Sequence, residues 1–383
     1  MTTDTHKPKI LLAGTQMATG GAQKVLLVMA DWFCRHGYTV DAVFFYDREN
    51  LEQNWKETYV FPITNLNAWQ KGGSSLKKGL QLLGGLRRFY RMLKNGGYSA
   101  VIPFTHHCNL LALPPAWLAG VPVRMASHHG PILGFPAWQN RVHTLLVNSQ
   151  AATHLAAVSH QIKRQAVQDG IKEDKITVIH NGINPPQVDP ADRARTRAAL
   201  GVKDDQPLIL AVGRVTLQKG FTYLLQAMPQ IISSFPNALV VIAGDGPLRP
   251  ELEQEAKSLG VGEHVRFLGF RQDVPQLLAA ADLFAMPSVF EGFPIVLLEA
   301  MVMGKAVVAS RVQGVDEIVV SGQNGVIVPS QDVPALAQAV VVVLEEPAYA
   351  AAMGVAARKT VLDGFTLDSM CRKYEALILD ALP

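Results

Sequence analysis

Apolar and polar positions change period repeatedly along this 383-residue chain. Lys9–Ala13 is a short unbroken apolar run. A Gly-rich loop then leads to Ala22–His36, where apolar residues recur every three or four positions. The first pattern predicts a strand buried on both faces, the second an amphipathic helix. Gly37 closes that helix, with His36 in its last turn. Tyr38–Phe45, Ser99–Pro103, Val123–Ser127, Thr144–Val147 and Lys175–Ile179 predict further strands, most of them separated by helical stretches. Asn181–Arg197, rich in proline and charge, predicts a linker. The pattern then restarts. Strands at Pro207–Val212, Ala238–Ala243, Val265–Leu268, Leu283–Met286 and Ala306–Ala309 alternate with helices at Gly220–Phe235, Arg249–Leu259, Val274–Ala280 and Pro294–Met303. Such alternation makes parallel sheets. Two series joined by a linker predict an α/β chain of two Rossmann-like domains facing across a cleft. The expected domains are residues 1–180 and 181–364, followed by a final segment, 365–383.

Composition sharpens this picture. With 49% apolar and 17% charged residues, wholesale disorder is excluded. Cys34, Cys108 and Cys371 are odd in number and far apart, so neither a disulfide scaffold nor a cysteine-built zinc site is expected. A reducing, cytoplasmic setting fits better. The N-terminus, MTTDTHKPK, lacks an apolar signal core, and no apolar run approaches the roughly 18 residues that span a bilayer. The net charge of +3 conceals an asymmetry. Residues 1–180 hold 19 Lys+Arg against 10 Asp+Glu, and residues 181–383 hold 16 against 22. No carboxylate occurs from residue 58 to 168, a stretch with 11 basic residues. Ten of the eleven histidines lie at or before His180.

Candidate chemistry gathers at predicted strand ends, where open α/β sheets bind ligands. In Ser288–Gly304, Glu291 lies in a loop and Glu299 in the following helix, with Pro294 in the first turn. Backbone N–H groups near Phe293, Ile295 and Val296 suit a phosphate, and the two carboxylates suit hydroxyls of a sugar and a ribose; an ordinary helix with a solvated glutamate and an acid favoured by its dipole explains the segment equally well. Arg214 and Lys219, in GRVTLQKG after PLILAV, put two cations at a strand end; each is also an ordinary surface residue type. Gly20–Gly21 allows close backbone approach before a helix N-terminus, although no GxGxxG is present. Gly244–Pro247 is a similar turn, and a plain tight turn explains it equally well. The pairs His106–His107 and His128–His129 follow apolar strands. With no carboxylate nearby, a metal site is not expected there, and a polar ligand or a structural role remains for them. Leu86–Lys94 is amphipathic: Leu86, Phe89, Tyr90 and Leu93 fall on one side and Arg87, Arg88, Arg91 and Lys94 on the other. This suits either anionic headgroups or packing on the sheet with a solvated basic face. The glycines around it suggest a mobile region.

Together these motifs occur in a recognisable order. The sequence resembles the retaining glycosyltransferases of family 4, which have the two-domain GT-B fold. The resemblance rests on GG (Gly20–Gly21), LAAVSHQIKRQ (Leu155–Gln165), VIHNGIN (Val178–Asn184), GRVTLQKG (Gly213–Gly220), AGDGP (Ala243–Pro247), FLGF (Phe267–Phe270), PSVFEGFPIVLLEAM (Pro287–Met301) and FTLD (Phe365–Asp368). It implies that Arg214 and Lys219 bind the donor diphosphate, Glu291 the sugar and Glu299 the ribose. Gly20, Gly21, Gly244, Phe270, Gly292, Phe293 and Ile295 would line the donor. His129, with His128 as second choice, would contact the sugar. The family's SE dipeptide reads Ser159–His160 here. The family's C-terminal helix crosses back to the first domain, as Phe365–Leu382 would.

The expected activity is therefore transfer of a sugar, with retention, from a nucleotide-diphosphate donor to a glycan or lipid-linked acceptor. A UDP-sugar is favoured and a GDP-sugar stands second. No metal or other cofactor and no nucleic-acid partner are expected. Peripheral membrane contact through Leu86–Lys94 is a further expectation, in keeping with the basic half. The alternatives are a nucleotide-sugar epimerase or phosphorylase of the same fold, or an inactive nucleotide-sugar-binding protein.

Overall fold

The computed structural model describes residues 7–70, 72, 74–130 and 135–383. It divides into two compact units, Met1–Gly182 with Leu367–Pro383, and Ile183–Thr366. Unit 1 runs β1 (Lys9–Met17), α1 (Gly21–Arg35), β2 (Thr39–Asp47), α2 (Glu52–Thr58), β3 (Ile63–Asn65), α3 (Ser75–Gly96), β4 (Ala100–Phe104), α4 (His106–Leu118), β5 (Val123–His128), α5 (Ala137–Asn148), β6 (His154–Ala157), α6 (His160–Gln168) and β7 (Ile176–Val178). Unit 2 runs α7 (Asp192–Ala199), β8 (Leu208–Val212), α8 (Phe221–Ser234), β9 (Leu239–Ala243), α9 (Arg249–Ser258), β10 (Val265–Gly269), α10 (Val274–Ala280), β11 (Leu283–Met286), α11 (Ile295–Val302), β12 (Ala306–Ser310), β13 (Val326–Val328), α12 (Val333–Glu345) and α13 (Pro347–Gly364). The last helix, α14 (Leu367–Asp380), belongs to unit 1.

Each unit is built on one parallel sheet. The strand orders are β3-β2-β1-β4-β5-β6-β7 and β10-β9-β8-β11-β12-β13. The middle strands are continuous apolar runs because both faces are covered: Ile10–Ala13 and Val240–Ile242 are wholly buried. In each sheet the order reverses once, between β1 and β4 and between β8 and β11. There the connections leave toward opposite faces and open a crevice at the strands' carboxyl ends. Among the described residues no single helix is long and apolar enough to cross a membrane.

Four local expectations are corrected. Thr144–Val147 is helical, the last turn of α5. Its apolar run reads as a strand because His143, on the buried face with Val147, hides the helical period, while Trp138 and Leu145 face solvent. The strand of that region is β6, HLAA, which has no β-branched residue to announce it. Asp192–Arg197 is not linker but most of α7, where Arg197 is buried and donates to Ala280 O at 2.9 Å. Thr15–Met17 continue β1 instead of starting a loop. The glycines at 79, 84, 85 and 96 lie within α3, a 22-residue helix. Gly85 is there for contact, since a Cβ at that position would lie 2.2 Å from the Ala68 Cβ.

Candidate active site

In unit 2 the crevice is framed by the loops that follow β8 and β11. The β8 loop ends in a short 3-10 turn, Leu217–Lys219, and Gly220 turns into α8 at φ +60°. A Cβ on Gly220 would lie 2.1 Å from the Pro287 carbonyl oxygen, so only glycine lets the two loops touch. Backbone and side chain then stitch them: Val289 N–H donates to Gln218 O at 2.8 Å, and Gln218 Nε2 donates to Phe290 O at 3.2 Å. Across this seam Lys219 Nζ meets Glu291 Oε1 at 2.6 Å. Both side chains are largely shielded, at 17% and 8% exposure. Glu291 also accepts from Ser288 Oγ at 2.8 Å and from Gln218 Nε2 at 3.4 Å. Two cross-loop donors therefore hold this carboxylate where the sheet order reverses. Ser288 and Gln218 lie inside the two motifs read from the sequence, but nothing in the motifs assigned them a bond.

Other expected residues surround this pair. Arg214 is exposed on the β8 loop. Gly244, after β9, has φ +147°, and a Cβ there would lie 1.9 Å from the Gly213 oxygen. Gly292 and Phe293 are buried between the β11 loop and Gly314, whose Cβ would lie 2.5 Å from Gly292 O. Ile295 begins α11, and Glu299 is half-buried on that helix's second turn. Phe270, just after β10, is 57% exposed.

In unit 1, Gly20 caps α1 in an extended conformation and Gly21 is exposed at its first position. Near them Thr15 and Thr105 place their hydroxyls 3.4 Å apart, bridging the β1 and β4 ends. The histidine doublet splits. His129 stacks on Phe104 with ring centroids 4.7 Å apart, and neither of its nitrogens has a hydrogen-bond partner. His128 instead turns inward, its Nε2 3.4 Å from His143 Nε2. Burial keeps all these rings neutral: it lowers His129 to about 4, His106 to about 4, His128 to about 3 and His143 to about 2. Ser159 caps α6, accepting from Ile162 N–H at 3.1 Å, so the Ser-His variant of the family dipeptide keeps a capping serine.

Comparison with known proteins follows this division. Residues 19–187 match the model "Glycosyltransferase Family 4" and residues 192–360 the model "Glycosyl transferases group 1". A UDP-Gal:alpha-D-GlcNAc-diphosphoundecaprenol alpha-1,3-galactosyltransferase of Escherichia coli is 26% identical over 303 residues, 76% of this chain and 78% of that one. A GDP-mannose-dependent alpha-(1-6)-phosphatidylinositol monomannoside mannosyltransferase of Mycolicibacterium smegmatis is 39% identical over 46% of this chain and 48% of its own. The chain thus spans about half the length of curated relatives such as this one. The crystal structure of Anabaena Alr3699/HepE in complex with UDP and glucose superposes with a TM-score of 0.84 at 25% identity, covering 97% of this chain and 99% of that one. Matched in both halves by the two models and throughout by fold, the chain belongs to the family 4-like glycosyltransferases of GT-B fold.

Proposed function

We propose that the chain transfers a hexosyl group, with retention, from a nucleotide-diphosphate sugar to a glycan or lipid-linked acceptor. The observation that carries this is the shielded Lys219–Glu291 pair at the reversal of the unit 2 sheet. An incoming diphosphate offers Lys219 a second anion, and the sugar's hydroxyls offer Glu291 new donors, so the donor replaces each partner with an equivalent one. Arg214 supplies the second cation and Glu299 accepts from the ribose. Gly20, Gly21, Gly244, Phe270, Gly292, Phe293 and Ile295 line the donor, and His129 contacts the sugar. As the bond from the anomeric carbon to the β-phosphate oxygen breaks, its electron pair goes to the diphosphate. Lys219 and Arg214 stabilise that charge. The acceptor oxygen bonds the same face of the sugar, and its proton passes to the diphosphate. This diphosphate step needs no metal. A UDP-sugar is the favoured donor: UDP accompanies the HepE structure and UDP-Gal is in the galactosyltransferase's name, whereas the mannosyltransferase is GDP-mannose-dependent.

A lipid-linked acceptor fits those two relatives, and a cytoplasmic placement beside the membrane fits such an acceptor. The expected contact, Leu86–Lys94, needs revision. Phe89 and Leu93 are spent in the core, and Arg88 Nε donates to Leu66 O at 3.0 Å. The apolar surface lies one to three turns earlier, at Leu76, Leu80 and Leu83, which are 75%, 62% and 65% exposed.

Turnover of UDP- and GDP-sugars with a lipid-linked acceptor tests the proposal. Lys219→Ala lowers kcat by roughly 10²–10³, the size of losing one preorganised donor to a developing charge. Unchanged kinetics in that variant would sink the assignment.

A further inference from the structure

Three imidazoles that the proposed transfer does not use lie together inside unit 1. His106 opens α4, His128 ends β5 and His143 sits on the buried face of α5. They are 6%, 3% and 1% exposed, and one nitrogen from each lies within 4.8 Å of the other two. Hydrogen bonds account for two of the rings. The Asn109 amide is oriented by Ser127, donating to its carbonyl at 3.0 Å and accepting its N–H at 3.3 Å. Its Nδ2 thereby faces His143 Nε2 at 3.1 Å, which keeps that nitrogen an acceptor, and His128 Nε2 approaches the same atom at 3.4 Å. His106 is left over: neither of its nitrogens has a partner, although both are buried. A buried polar ring with nothing to bond requires an explanation.

We propose that His106, His128 and His143 bind a transition-metal dication of the zinc class. Zinc–nitrogen bonds of about 2.0–2.1 Å at a tetrahedral angle set ligand nitrogens about 3.3–3.4 Å apart, the separation already present between His128 and His143. His106 closes the third position from within 4.8 Å. Imidazole without carboxylate selects zinc, copper, nickel or iron over magnesium and calcium, which take oxygen ligands. The rings are held neutral, the form that ligates. On loading, the His128 proton that faces His143 moves from Nε2 to Nδ1, so the ring stays neutral and presents Nε2 to the ion, and the Asn109–His143 bond is given up. The ion fastens α5, whose buried side chains are only His143 and Val147, to β5 and α4. The sequence-based expectation of no metal looked for a carboxylate or cysteine and had no reason to single out His143.

The test uses the full chain, stripped by chelator and titrated with Co²⁺ while visible absorption is recorded. The expected result is one Co²⁺ per chain with the intense bands of a four-coordinate site, displaced by Zn²⁺, and a melting temperature that rises with either metal. His106 has no hydrogen bond to lose, so His106→Gln folds whether or not a metal binds, and it weakens uptake roughly 100-fold or more. His143→Gln does the same, whereas His264→Ala in unit 2 leaves uptake intact. No uptake of Co²⁺ or Zn²⁺ in excess metal overturns the proposal. So does the same spectrum and stoichiometry in His106→Gln.

Discussion

Cys108 lies wholly buried on α4 and donates its thiol hydrogen to Ala13 O at 3.2 Å. Burial pushes its pKa up to about 12, and burial likewise raises Cys34 and Cys371. A raised pKa keeps the thiol protonated through neutrality. At pH 8 a group with a pKa of about 12 has a thiolate fraction on the order of 10⁻⁴, and the thiolate is the nucleophile. Native protein therefore resists iodoacetamide at Cys108, while urea-unfolded protein is alkylated at all three positions; mass spectrometry of intact protein reads the difference. Complete native labelling at pH 8 contradicts the burial. The same shift has a stability consequence. The unfolded chain's thiols ionise from about pH 8.5 while the folded ones do not. The contribution is fully present below that pH and is lost as pH rises toward the folded value. At this scale the three residue identities were plain in the sequence, but the environments that set their chemistry were not. His143 is the clearest case: a single histidine in an apolar run carries no signal until the fold brings it to His106 and His128.

The helix α3 shows what periodicity can and cannot settle. Phe89 and Leu93 mark its core face as expected. That face therefore cannot also meet lipid, and the face left over sits at Leu76, Leu80 and Leu83, with Lys77 between them and Arg87 and Arg91 one and two turns beyond. Three leucines at i, i+4 and i+7 form one stripe, and bordering cations complement anionic headgroups. The double variant Leu80→Asp, Leu83→Asp should fold normally and lose most of its cosedimentation with anionic liposomes at low salt. Binding equal to wild type excludes this helix as the contact. Strand and helix positions were legible wherever an apolar run matched its period, as at Val274–Ala280 and Leu283–Met286, where predicted and observed bounds coincide. They were not legible where the buried residue was polar, as in α5, or where the burying element was short, as in β3 and β13. The β8 and β11 loops were legible as chemistry because glycine, proline and charge concentrate there. Their mutual stitching through Gln218, Lys219 and Gly220 depends on contact between segments about 70 residues apart, which no local pattern encodes.

At the scale of the whole molecule, chain order and structural unit part company at the C-terminus. Helix α14 belongs to unit 1, although unit 2 precedes it in sequence. Its Asp368 accepts from Trp32 Nε1 at 3.1 Å and its Glu375 from Tyr38 OH at 2.6 Å, while Leu367, Met370, Tyr374 and Ile378 are buried. Each such side chain is worth roughly 1.5–3 kcal/mol of burial, so together they approach a domain's net stability of about 5–15 kcal/mol. A chain ending at Thr366 should lose the folded unit 1, seen as a missing or strongly lowered calorimetric transition; a wild-type transition would refute that weight. Both sheets place their reversal where the expected glycine loop or cation loop begins, and for unit 2 this leads back to Lys219 and Glu291. On the proposed assignment, that ion pair makes the site ask for two things at once. An inorganic anion that draws Lys219 away strands a buried carboxylate, which is costly. A neutral sugar cannot displace the lysine at all. Only a molecule carrying negative charge and hydroxyls side by side answers both halves of the pair, so an empty site rejects salt and free sugar before any contact with the base is made.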